Sequence, residues 1–329
     1  MDVKPIDISA RLDAEHRAVF DALPREPRDW TDIPAVRAKF VADRNALPQP
    51  PLPPSVEISD RRVPGPAGAP DPRLRLYVPR TGMQPAALYW IHGGGTVIGD
   101  LEMNDHYCAN IADQLGILVT SIEYRLAPEH PYPAGLEDCY AGLAWVFANV
   151  VELGLDNARI AVGGGSAGGL LAAALALLAR DRGRLRPCFQ LLVYPMLDDR
   201  NSTRSANAVT DPRVWDRASS LAAWDAYLEG EAGTANVPAH AAPARATDLA
   251  GLPPAYINVG DLDLFLDEDV AYAQALGAAG VPVELHVYPG AYHGSPGAVP
   301  AAQLSRRWTT DELAALERAL QLGEPKTTS

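Results

Sequence analysis

Residues 162–169 read VGGGSAGG, and two chemistries compete for them. Gly163, Gly165 and Gly168 match G-x-G-x-x-G, a turn that cradles the pyrophosphate of a dinucleotide. Gly164, Ser166 and Gly168 match G-x-S-x-G, a turn that lifts a nucleophilic serine above a sheet. Both belong between a strand and a helix. The dinucleotide turn should follow the first strand of its unit and be answered, about twenty residues on, by an acid that holds the ribose. Here several strand-like runs come first. The next run ends at Tyr194, and the first acids beyond it are Asp198 and Asp199, which read as turn or capping residues. The context fails the cofactor reading.

The hydrolase reading makes three demands. A sharp turn strains the serine backbone, so its neighbours must be small. Gly164, Gly165, Ala167, Gly168 and Gly169 meet that demand, which a helix-capping serine would not make. A developing oxyanion needs amide donors, and HGGG (His92, Gly93, Gly94, Gly95) offers unhindered ones after a central strand, with the Ala167 amide as a third. An acid and then a histidine must follow the serine in chain order. The loop after PAYINVG offers Asp263, with Asp261, Asp267 and Glu268 beside it, and YPGAYHG offers His293 just past VELHVY. His92 is read as a buried ring that stiffens the glycine loop with Gly93, not as a second base. The remaining five of the seven histidines, His16, His106, His130, His240 and His286, read as surface or packing residues.

These groups need a scaffold that brings strand ends to one rim. Residues 8–23 place Ile8, Leu12, Val19, Phe20 and Leu23 on one helical face, and a shorter helix follows Thr31. The proline-rich LPQPPLPPS (47–55) then breaks the pattern. From residue 55, VEIS and LRLYV pair as a hairpin, after which strands alternate with helices. The predicted strands are ALYWIH, ILVTSIEY, RIAVGG, FQLLVY, PAYINVG and VELHVY. Helices are expected over 103–115, 136–153, the run after Ser166, the stretch up to Ala279, and 311–321. Such alternation predicts an α/β fold with a mainly parallel sheet and helices on both faces. Residues 196–252 interrupt the rhythm with helix-like ASSLAAWDAYLEG and no strand. The expected organisation is 1–50 as N-terminal helices, 55–195 as the first part of the core, 196–252 as an insertion over the strand ends, and 253–322 as the second part. Segments 1–50 and 196–252 together could form a lid. Trp215 and Trp224 in the insertion read equally as lid core or pocket lining.

The bulk composition narrows the partners. The chain has 329 residues, is 47% apolar and carries a net charge of −13. An acidic surface repels nucleic acid and anionic membranes. Cys108, Cys139 and Cys188 form no CxxC pair, and no His/Cys/Asp cluster has metal-ligand spacing. Neither a disulfide framework nor a metal is expected. The charged start lacks a signal-peptide core, and no run is long and apolar enough to span a membrane. A cytoplasmic location is expected, with no cofactor and no stable membrane insertion, and a homodimer is compatible with the sequence. Arg125 and Glu129 are expected to pair and pin their loop.

The ordered set IHGGG, YRLAPEHPYPA (124–134), GGSAGG (164–169), DLDLFLDE (261–268) and YHG (292–294) resembles the hormone-sensitive-lipase family of serine esterases within the α/β-hydrolase fold. The resemblance spans roughly residues 75–300. It implies a carboxylesterase with a helical cap, Ser166 as nucleophile, Asp263 as acid, His293 as base, and Gly94, Gly95 and Ala167 as oxyanion donors. The implied substrates are short- to medium-chain esters, cleaved through an acyl-enzyme. Three positions depart from the family pattern: Gly165 where Asp or Glu is usual, Leu266 where Arg is common, and Ser295 where Phe is frequent. The alternatives are a non-catalytic binding protein on the same fold, or an amidase or lactonase with a different pocket. Plant gibberellin receptors resemble the family but have the catalytic histidine replaced, whereas His293 is present here.

Overall fold

The apolar runs around the glycine turn become the interior of one sheet. A computed structural model describes residues 3–47 and 49–323. Met1 and Asp2 of the charged start, Pro48 of the proline-rich connector and residues 324–329 lie outside the described residues. The strands are β1 (Val56–Arg62), β2 (Arg73–Pro79), β3 (Ala87–Ile91), β4 (Leu118–Ile122), β5 (Ile160–Gly165), β6 (Phe189–Val193), β7 (Ala255–Gly260) and β8 (Val283–Tyr288). They lie in the order β1-β2-β4-β3-β5-β6-β7-β8. The β1–β2 and β2–β4 pairings are antiparallel and the rest are parallel. Every residue of β3 to β7 is buried, as continuous apolar strands in a doubly covered sheet must be.

The helices are α1 (Ile8–Arg11), α2 (Arg17–Ala22), α3 (Ile33–Ala46), α4 (Asp105–Leu115), α5 (Ala134–Ala148), α6 (Ala167–Arg182), α7 (Arg204–Ala208), α8 (Arg217–Tyr227), α9 (Leu266–Ala278), α10 (Ser295–Ala298) and α11 (Gln303–Ala319). Alternation along β3 sends Tyr89 and Ile91 toward the core built with α5 and α6, and Leu88 and Trp90 toward the core built with α4 and α11. Helix α6 is buried from Ala167 to Ala179, and its alanines and glycines let it lie close to the sheet. A Cβ on Gly164 would overlap the carbonyl of Gly168, and one on Gly168 would overlap the carbonyl of Ile91.

Three helix boundaries differ from expectation. Residues 8–23 do not form one helix. Leu12 is extended, and Asp13 starts a new turn by accepting the Glu15 amide at 2.9 Å, so α1 and α2 are separate. Helix α5 ends at Ala148, where Asn149 caps it, several residues before 153. The last helix starts at Gln303, a turn and more before 311. Between residues 196 and 252 lie α7, α8 and a short 3-10 turn, without a strand. This segment meets the N-terminal one. The Ile6 amide donates to Ala208 at 2.9 Å, Arg28 donates to the carbonyls of Pro212 and Val214, and Trp30 Nε1 donates to Ser219 Oγ at 3.2 Å. Among the described residues no helix is long and apolar enough to cross a membrane.

Candidate active site

Between β5 and α6 the chain turns on one residue. Ser166 has φ +58° and ψ −119°, a conformation that costs a non-glycine residue on the order of 1–3 kcal/mol. The surrounding hydrogen bonds hold it there. Its amide donates to Val193 at 2.9 Å, and its carbonyl accepts from Leu170 at 3.0 Å and Met196 at 3.1 Å. The side chain is 6% exposed, at the carboxyl end of the sheet.

Two loops bring a histidine and a carboxylate to that serine. Ser166 Oγ lies 3.0 Å from His293 Nε2, and His293 Nδ1 lies 2.7 Å from Asp263 Oδ2. The other carboxylate oxygen of Asp263 accepts the Phe265 amide at 3.0 Å, so the group is buried and held at both oxygens. This pattern places the ring proton on Nδ1 and leaves Nε2 to accept from the serine hydroxyl. The imidazole edges onto Tyr194 at 4.7 Å and Phe265 at 5.2 Å between centroids.

Asp261 has other work. Its Oδ1 accepts the Gly290 amide at 2.7 Å, and it pairs with Arg11. The N-terminal segment grips the histidine loop from outside. The Asp13 amide donates to Gly290 at 3.1 Å, and the Tyr292 ring lies 5.3 Å from Phe20 and 6.3 Å from His16. His16 is fully buried, bonded to Asp13 and Ser305. Asp267 accepts the Ser205 amide at 2.8 Å, and Glu268 accepts those of Leu197 and Asp198. Burial pushes the Glu268 carboxyl well above the usual carboxylate range.

The HGGG loop crosses beside the serine turn. A Cβ on Gly93 would sit 2.7 Å from the Gly165 carbonyl and 3.3 Å from Ser166 Cβ, so only glycine permits this approach. Gly94 and Gly95 have φ of +108° and +62°. Their amides and that of Ala167 have no acceptor among the described residues. His92 is buried, stacked on Tyr124 at 4.3 Å, with Nδ1 2.8 Å from the Gly93 carbonyl. Burial lowers its pKa, which keeps the ring neutral. Among the described residues no three His, Cys, Asp or Glu side chains group as metal ligands.

The structure separates the two tryptophans. Trp224 is fully buried. The Trp215 ring covers the HGGG loop: a Cβ on Gly95 would meet its Cη2 at 2.5 Å. Trp30 packs edge-on to Trp215 at 5.5 Å. Tyr194, with φ +35°, and Trp215 both border the site; the sequence points to Trp215 as lid core or pocket lining, and nothing local marks Tyr194. The expected Arg125–Glu129 pair does not form. Arg125 grips Asp138 with two bonds of 2.8 Å, and Glu129 pairs with Arg37 of α3 at 2.8 Å. Arg37 also donates to the carbonyls of Val97 and Ala127, tying α3 to the loop after HGGG and to the loop after β4. Asp198 pairs with Arg200, and Asp199 with Arg245.

Comparison with known proteins agrees with this architecture. A family model described as alpha/beta hydrolase fold matches residues 88–296. Esterase LipI of Mycobacterium tuberculosis is 41% identical over 86% of this chain and 88% of its own. Carboxylesterase NlhH of the same species is 40% identical over 94% and 96%. The solved structure of a bacterial heroin esterase superposes with a TM-score of 0.90 at 41% identity, covering 95% of this chain and 99% of the other. The chain belongs to the hormone-sensitive-lipase-like family of alpha/beta hydrolases.

Proposed function

We propose that this carboxylic-ester hydrolase works by acyl transfer to Ser166. The observation that carries the reading is the line of hydrogen bonds from Ser166 through His293 to Asp263, ending on a serine held at positive φ. Ser166 Oγ attacks the ester carbonyl carbon while its proton passes to His293 Nε2. The proton then goes to the departing alkoxide, leaving an acyl-enzyme. Water repeats the step with His293 as base again and releases the acid. Asp263 holds the imidazole in the productive tautomer and stabilises its charged form. The amides of Gly94, Gly95 and Ala167 receive the oxyanion, each contributing about 3–4 kcal/mol by analogy with hydrolases of this chemistry. His92 and Gly93 keep their loop rigid.

Segments 1–50 and 196–252 act as a cap. Arg28, Trp30 and Trp215 join them over the loop that carries Gly95, and an enclosed site of this kind suits short- to medium-chain esters. The test combines labelling with kinetics. A fluorophosphonate should label the parent at Ser166 and leave Ser166→Ala unlabelled. Turnover of p-nitrophenyl esters from acetate to palmitate should fall by roughly a million-fold in the variant. A variant within about tenfold of the parent refutes the mechanism.

A further inference from the structure

Helix α11 carries a buried carboxylate that the acyl-transfer steps do not use. Glu312 is 2% exposed and bonded through both oxygens. Oε1 accepts from Asn258 Nδ2 at 2.8 Å and Trp308 Nε1 at 2.7 Å, and Oε2 accepts from Tyr107 Oη at 3.0 Å. Each donor leads back to the same place. The main-chain carbonyl of Asn258, the residue whose side chain Glu312 grips, accepts the Tyr194 amide at 2.7 Å, on the residue with φ +35°. The Trp308 ring lies 5.8 Å from that of Tyr194. Tyr107 packs at 4.4 Å on Trp90, and Trp90 and Tyr194 together border the Cβ position of Gly165, at 3.5–3.8 Å. The Tyr194 ring in turn edges onto His293.

We propose that Glu312 is a positioning residue for the proposed base: through Asn258 and Trp308 it holds Tyr194, and Tyr194 sets the ring of His293. This rests on the reading of His293 as base. Backbone alone does not fix Tyr194, whose conformation is one that a bulky side chain resists. Three donors buried around one carboxylate give the network a single arrangement, since leaving any of them unpaired is costly. Burial raises the Glu312 carboxyl to about 7, against the pull of its three donors. An amide matches the carboxyl group in shape. Gln at 312 can keep its carbonyl on Asn258 and Trp308 and present its NH₂ to the Tyr107 oxygen, which accepts as well as donates.

The test uses the full chain, with active sites counted by fluorophosphonate titration so that misfolded protein drops out. Glu312→Leu should lose roughly 10–100-fold in kcat per titrated site with KM within about threefold, the scale of a catalytic group displaced by about an ångström. Glu312→Gln should stay within about threefold of the parent. The double variant Glu312→Leu with Tyr194→Ala should fall no further than Tyr194→Ala alone, because both act through one contact. Should Glu312→Leu not fold, Trp308→Phe, which deletes one donor, carries the test with a loss of roughly 3–10-fold per site. An unchanged kcat per site in the variant that folds overturns the proposal, as do losses that multiply in the double variant. Titratable sites that vanish in Ser166→Ala but persist in Glu312→Leu separate a failure here from a failure of the acyl-transfer reading.

Discussion

Asp263→Asn changes one atom, and the neighbours of the carboxylate decide what that atom does. Oδ1 accepts the Phe265 amide at 3.0 Å and Oδ2 faces His293 Nδ1 at 2.7 Å. In the asparagine variant only the carbonyl oxygen can accept from Phe265. The NH₂ must then face the imidazole, and the reverse orientation would set an NH₂ against the Phe265 amide. With a donor facing Nδ1, the ring proton moves to Nε2. Nε2 can then no longer accept from Ser166 Oγ, which lies 3.0 Å away. The geometry survives and the base is lost. In the well-studied serine protease the same change costs about 10⁴ in kcat. The buried site here gives water little chance to relieve the clash, so a loss of roughly 10³–10⁴ with KM nearly unchanged is expected.

Asp261→Asn is the matched control in the same loop. Its bond to the Gly290 amide survives if the carbonyl oxygen stays on that side. Only the pairing with Arg11 weakens, and Arg11 is half exposed, in a class of pair worth about 0–1 kcal/mol. That corresponds to at most about fivefold if all of it reached the transition state. Stopped-flow or plate kinetics on p-nitrophenyl butyrate at neutral pH measures both variants. If Asp261→Asn falls further than Asp263→Asn, the tautomer argument is wrong and the acid is Asp261.

Other perturbations have equally specific outcomes. Trp215→Ala uncovers Gly95 and should raise the ratio of kcat/KM for p-nitrophenyl octanoate over acetate by about tenfold or more, since each newly buried methylene contributes about 0.8 kcal/mol; an unchanged chain-length profile would remove Trp215 from the pocket wall. Gly168→Ala forces a methyl into the Ile91 carbonyl and should lower Tm by roughly 3–10 °C, whereas Gly165→Ala meets only ordinary contacts at 3.5 Å and beyond and should leave Tm within about 2 °C. Differential scanning fluorimetry compares the two, and equal melting temperatures would contradict the packing described for α6. Starting the chain at Leu47 removes Arg37, Phe20 and the Asp13 contact to Gly290. It should cost more than about a hundredfold in kcat/KM while far-ultraviolet circular dichroism retains the sheet; full activity in that truncation would refute the cap assignment.

The parts of the site that could be read from sequence are those whose constraint is local. The glycines around Ser166 are dictated by close approach within a few residues, and the strand runs by burial on both faces, so both announce themselves in one dimension. Chain order did the same for His293. The helix over 8–23 failed where a local signal was present but outvoted: the apolar periodicity runs on past Leu12, yet Asp13 caps a new turn and redirects the chain onto Gly290. The walls were legible only in part. Trp215 could be read as lid core or pocket lining but not assigned, because its contact with Gly95 spans a long stretch of sequence. Glu312 reaches Asn258 in the same way, and a glutamate in an amphipathic helix looks the same whether it faces water or a neighbour.

The loop after β7 marks the boundary between the two cases. Asp261, Asp263, Asp267 and Glu268 are all plausible acids by position, and periodicity cannot rank them. What ranks them is where each finds a donor: Gly290 and Arg11, His293 and Phe265, Ser205, or Leu197 and Asp198. Four acids clustered in the loop and the first turn of α9 would repel if they faced one another. Here each meets a different donor, so together they tie the loop to the histidine loop, to α7 and to the chain after Tyr194. Their sequence proximity therefore reflects several separate braces converging on one turn, and only one of the four points at the imidazole.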